Sequence, residues 1–119
     1  MVRWFSVYPD ELTLNVLFSG ATVTENTWRE VNCDASESFP AAILKWYSND
    51  RELTNSTEFQ ITETDLEPDP RFHRTRSRVV FRVSRDFNGH TLECRVVTED
   101  NVILHQRETP FVFNVIGKC

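Results

Sequence analysis

Short runs in which apolar and polar residues alternate recur along all 119 residues, and no stretch keeps a helical period. Strict alternation puts every second side chain on one face of a strand, so each run needs a second surface to cover its apolar face. Leu12, Leu14, Val16 and Phe18 alternate with Thr13, Asn15 and Leu17 until Ser19-Gly20 ends the run. Trp28 to Ala35 places Val31, Cys33 and Ala35 on one face, and Ser36 to Pro40 then turns the chain. Ile43 to Ser48 directs Leu44 and Trp46 one way and Ile43, Lys45 and Tyr47 the other. Asn49-Asp50 is a turn pair, and Arg51 to Leu53 reads as a stub of strand after it.

Beyond Asn55 the pattern weakens. Phe59 and Ile61 mark one more strand, which Glu67-Pro68-Asp69-Pro70 cannot continue because proline removes ladder donors. Regularity returns at Thr75 to Ser84, with Val79, Phe81 and Val83 inward and Arg76, Arg78, Val80 and Arg82 outward. Asp86 to Gly89 is the clearest turn, followed by Thr91 to Thr98 with Leu92, Cys94 and Val96 inward. The turn Glu99-Asp100-Asn101 leads to a last run, Val102 to Ile116, that must bend at Pro110. Residues 1–9 are ambiguous: Trp4 to Tyr8 reads equally as a first edge strand or as the tail of a preceding domain. Seven or eight strands in antiparallel order and no helix give an all-β chain of two packed sheets. A chain of this length has room for one core, so residues 1–119 read as a single domain with 117–119 as a tail.

Cys33, Trp46 and Cys94 each lie mid-strand on the inward face. A Cys33–Cys94 disulfide would tie the sheets together with Trp46 packed against the sulfurs; the alternative is two buried free thiols. Cys119 is left over, as a chain end or a bridge to another domain or molecule.

In Val31-Asn32-Cys33, Leu44-Lys45-Trp46-Tyr47, Asp86 through Gly89 and Leu92-Glu93-Cys94-Arg95-Val96, the chain resembles the immunoglobulin superfamily from Leu12 to Ile116. The resemblance implies an immunoglobulin-like Greek-key sandwich and the Cys33–Cys94 bond around Trp46. Asp86-x-x-Gly89-x-x-Leu92-x-Cys94 looks like the family signature Asp-x-Gly-x-x-Tyr-x-Cys with one residue inserted, and Leu92 replaces the corner tyrosine. That substitution, Phe39-Pro40-Ala41-Ala42 and the short middle segment resemble C2- or I-type domains of nectin-like and nephrin-like adhesion receptors. The resemblance therefore implies an extracellular domain of a secreted or membrane-anchored protein. The start Met1-Val2-Arg3-Trp4 lacks the features of a secretory signal, so the sequence reads as an excised ectodomain fragment.

The chemistry-bearing residues point to binding rather than catalysis. Asp65, Glu67 and Asp69 fall in a proline-interrupted loop, no serine sits in a nucleophile elbow, and three glycines make no phosphate loop. The three histidines lack ligand spacing, and one acidic loop supplies few of the roughly six to eight oxygens that Ca²⁺ needs, so no metal or cofactor is expected. A net charge of −5 argues against nucleic acid, and no segment is apolar enough to insert in a membrane.

Two surfaces remain. Ile43, Lys45 and Tyr47 beside Glu93, Arg95 and Val97 form a mixed apolar, aromatic and charged face suited to a cell-surface or secreted protein partner, the same chain included. Arg74, Arg76, Arg78 and Arg82, flanked by Arg71, His73 and Arg85, form a basic stripe on the other sheet. The stripe is either a site for a sulfated glycosaminoglycan or a solvated face neutralised by acids such as Glu58, Glu63 and Asp65. Asn55-Ser56-Thr57 is an N-glycosylation sequon. The leading expectation is an adhesion or recognition module using the first face; its rivals are a spacer in a multi-domain ectodomain and a glycan-binding module using the arginines.

Overall fold

A computed structural model describes residues 7–18, 20–66 and 71–117. Ten strands form: β1 (Leu12–Val16), β2 (Thr22–Thr24), β3 (Trp28–Ala35), β4 (Ile43–Ser48), β5 (Arg51–Leu53), β6 (Phe59–Asp65), β7 (Thr75–Arg82), β8 (Leu92–Val97), β9 (Ile103–Glu108) and β10 (Asn114–Ile116). One sheet has the order β1-β3-β7-β6 and the other β5-β4-β8-β9, each antiparallel. The chain changes sheet between β3 and β4, between β5 and β6, and between β7 and β8. This is the Greek-key sandwich, and its inner faces follow the alternation of the sequence.

The strand count exceeds expectation by two short elements. The last run breaks after Glu108 into β9 and β10, as Pro110 requires, while β2 was missed because Val23 alone gives no period. β2 and β10 pair in parallel, the one departure from antiparallel order among the described strands. The Asn49-Asp50 turn has φ of 53° and 60°, the left-handed geometry of a two-residue hairpin that asparagine and aspartate tolerate. Val7 exchanges two backbone hydrogen bonds with Phe39 as an isolated bridge, while Trp4, Glu67, Asp69 and Cys119 lie outside the described residues.

Cys33 and Cys94 form the disulfide, with Cα atoms 6.5 Å apart and 61 positions between them in sequence. In the chain-entropy view, closing the loop between cysteines 61 positions apart stabilises the fold by about 4 kcal/mol. The bond is one side of a four-residue square. Cys94 stands opposite Trp46 in register within one sheet, and Cys33 stands opposite Ser77 in the other. The buried Trp46 Nε1–H donates to Ser77 Oγ at 2.8 Å, so a hydrogen bond crosses between the sheets beside the covalent one. An indole N–H sealed from water needs such a partner.

Leu92, at the tyrosine-corner position, is fully buried. Its backbone is held by Thr109, whose N–H donates to Leu92 O and whose Oγ1 accepts from Leu92 N–H. The neighbouring corner closes instead with a 3-10 turn, Arg85–Phe87, that drives Phe87 into the core. Phe87 packs 5.0 Å from Phe81, 5.9 Å from Phe113 and 5.9 Å from Phe59, ring centre to ring centre.

Replacing Ser77 by alanine strands the Trp46 N–H and should cost about 1–3 kcal/mol of stability. Urea unfolding should show a lower midpoint at unchanged slope; an unchanged midpoint would mean the indole bond contributes nothing net.

Candidate recognition face

The inward register of Trp46 and Cys94 sets what β4 and β8 display outward. Across β4, β8 and β9 the outward residues fall into three rows: Ile43, Val97 and Ile103; Lys45, Arg95 and Gln106; Tyr47, Glu93 and Glu108. Glu52 of β5 extends the third row beside Tyr47. Five of the six residues expected here are part of the surface, and the sixth needs correction. Val97 is only 4% exposed, because it lies at a register shift between β8 and β9 with Ile43 and Ile103 as its cross-strand partners.

Side-chain contacts brace the middle of the face. The Arg95 guanidinium lies 3.8 Å above the centre of the Tyr47 ring, an arrangement favoured by the ring quadrupole. Arg95 Nε donates to Glu93 Oε1 at 2.6 Å, and its NH2 group reaches Asp50 Oδ1 at 3.4 Å. The Arg95 side chain keeps only 16% of its exposure, so it works as the brace that holds Tyr47 and Glu93 in place. Lys45 is tethered at the side, donating to Asn101 Oδ1 at 2.7 Å with Glu52 3.8 Å away.

The last strand belongs to this face as its sequence run suggests, but alternation alone does not name which of its residues point outward. Ile103 is 46% exposed and Val102 56% exposed, beside Ile43 at 36%. Their signal was present in the start of the last run, but without a register its outward set could not be joined to that of β4. An exposed apolar row next to a braced tyrosine and a mixed-charge rim is the composition of a protein interface.

The arginine stripe is real and largely neutralised. Arg76 makes two hydrogen bonds to Asp34, at 2.7 and 2.9 Å, and those bonds and the carboxylate charge raise its pKa above the ordinary arginine value. Arg82 lies 3.1 Å from Glu58, Arg78 3.7 Å from Glu30, Arg74 4.0 Å from Glu37 and Arg85 2.8 Å from Glu25. Of the acids expected to balance the stripe, Glu58 does so, and Asp65 Oδ2 sits 2.7 Å from His73 Nδ1. Asp34 and Glu30 were hidden because only the β3–β7 register brings them alongside, and Glu37 lies just past the end of β3. With a carboxylate at each of these arginines, a sulfated-glycan partner has no support.

A family model for the CD80-like C2-set immunoglobulin domain matches residues 11–101. The chain belongs to that family. Cell adhesion molecule 2 of Xenopus tropicalis is 31% identical over 84 residues, which make up 69% of this chain and 18% of that protein. The chain thus spans less than a fifth of that relative's length. The full ectodomain (Ig1–Ig3) of mouse nectin-like molecule 4 superposes with a TM-score of 0.64 at 25% identity, over 94% of this chain and 35% of that one. The Rst D1-D2 structure gives a TM-score of 0.64 at 19% identity, over 95% of this chain and 51% of that one, a likeness of fold. The immunoglobulin domain is extracellular, in keeping with its disulfide. Its family is not one of enzymes.

Two measurements check this geometry. A double-mutant cycle on Tyr47→Ser and Arg95→Ser should give a coupling of about 0.5–2 kcal/mol in unfolding experiments, and additive effects would deny the stack. On immobilised heparin the domain should elute below about 0.15 M salt, whereas retention well above that would restore a basic site.

Proposed function

We propose that residues 1–119 are one domain of a longer ectodomain and that it binds a protein partner through the outward face of β5-β4-β8-β9. The observation that carries this reading is the Arg95–Tyr47 stack set beside the exposed Ile43 and Ile103. A tyrosine held by a half-buried brace loses little freedom on binding, which favours it as an anchor. The partner is a protein on another cell or in the extracellular space, the same chain included. The face bears both signs of charge, Lys45 and Arg95 against Asp50, Glu52, Glu93 and Glu108, and a two-fold arrangement of two copies could match them. The printed name of the Xenopus relative, a cell adhesion molecule, supports the same class of role.

The rival reading is a spacer that sets reach between other domains. It draws on the chain matching only 35% of the Ig1–Ig3 ectodomain. The two readings part on a surface variant. Lys45→Ser with Tyr47→Ser, displayed in the full-length protein, should abolish partner-dependent cell aggregation while leaving secretion intact and lowering the unfolding temperature only by the few degrees that loss of the Arg95–Tyr47 stack costs. A loss of about 2 kcal/mol or more, roughly thirty-fold in affinity, is the expectation for a central tyrosine. Undiminished aggregation with the double variant would favour the spacer.

A further inference from the structure

The crossover from β5 to β6 carries chemistry that the recognition face does not use. β5 ends one sheet and β6 ends the other, so both edge strands open on the same side of the sandwich. Free strand edges present unpaired backbone groups that template pairing with another chain. β5 has only three residues, but β6 has seven, long enough for such pairing to matter.

Residues 54–57 are exposed, and they fold back onto the first residues of β6. Ser56 N–H donates to Phe59 O at 2.9 Å, and Ser56 Oγ accepts from the N–H groups of Glu58 and Phe59. Asn55 reaches the strand itself: its Oδ1 accepts from Ile61 N–H at 2.7 Å. The side-chain amide thus occupies a backbone donor of the edge strand. With Oδ1 fixed there, Nδ2 is the atom left for chemistry, and in Asn55-Ser56-Thr57 it is the acceptor atom of a sequon. Asn55 and Thr57 are both exposed, and the domain is extracellular.

We infer that Asn55 carries an N-linked glycan whose attachment point sits on the free edge of β6, and that the glycan blocks edge-to-edge pairing of the domain. In the transfer, Asn55 Nδ2 bonds to the anomeric carbon of an oligosaccharide carried on polyprenyl pyrophosphate. The anomeric carbon–oxygen bond breaks, the pyrophosphate leaves with the electron pair, and Nδ2 gives up one proton. A bulky hydrated glycan at this point covers the edge that the strand's own residues leave open. The β4 and β8 face belongs to the middle of the other sheet and stays accessible.

Thr57 variants test this without touching the Asn55–Ile61 hydrogen bond. Secreted from animal cells, wild type and Thr57→Ser should carry a glycan that peptide-N-glycosidase removes, and Thr57→Ala should carry none at this site. Bare Asn55 in secreted wild type would overturn the site. Sedimentation should then be compared in a Lys45→Ser/Tyr47→Ser background, which removes association through the recognition face. There the glycan-free Thr57→Ala protein should self-associate at about ten-fold lower concentration than the glycosylated one, and a lysine at the edge (Gln60→Lys) should reverse this. Equal sedimentation with and without the glycan would overturn the shielding role.

Discussion

Two crosslinks, one covalent and one hydrogen-bonded, fix the sheets to each other at the centre of the sandwich. The Cys33–Cys94 bond and the Trp46–Ser77 hydrogen bond join the same two strand pairs, since Trp46 is the register partner of Cys94 and Ser77 that of Cys33. A slip of one residue in β3 or β8 would break the disulfide and one in β4 or β7 the hydrogen bond, and either would turn every side chain of that strand to the wrong face. The square therefore sets register as well as stability. The aromatic cluster of Phe81, Phe87 and Phe113 extends the core from there and closes the corner that a tyrosine would otherwise hold.

The proposed recognition face follows from the same register. Once Trp46 and Cys94 point inward, Lys45, Tyr47, Glu93 and Arg95 must point outward, in the rows that the β4–β8 pairing dictates. Tyr47 and Arg95 lie on neighbouring strands in adjacent rows, a diagonal separation that lets the guanidinium cover the ring. The opposite sheet obeys the same geometry with a different outcome. There the pairing of β3 with β7 brings Glu30 and Asp34 beside the arginines, and the stripe neutralises itself. One sheet is left with apolar and aromatic residues to offer a partner, the other with a balanced charged surface.

Much of this was legible in the sequence, because alternation reports strand faces directly. β3, β4 and β5 appeared at their observed limits, and Cys33, Trp46 and Cys94 defined the core. What escaped depends on register between strands, which period-two patterns do not contain. Ser77 looked like an ordinary polar residue until its cross-strand neighbours placed it beneath the indole. Val97 looked outward by parity, but the shift opposite Ile103 buries it. Asp34 and Glu30, which quench Arg76 and Arg78, lie more than forty positions away in sequence, and Ile103 joins the face only through β8. β2 was too short to carry any pattern.

The central claim is that contact with a partner runs through the sheet that the Trp46–Cys94 register turns outward. A photo-activatable residue placed at Gln106, in the same row as Lys45 and Arg95, tests it against one placed at Thr62 on the opposite sheet, in full-length protein on aggregating cells. Intercellular crosslinks are expected from position 106 and none from 62. Crosslinks from position 62 alone, or from neither position while the cells remain aggregated, would contradict it.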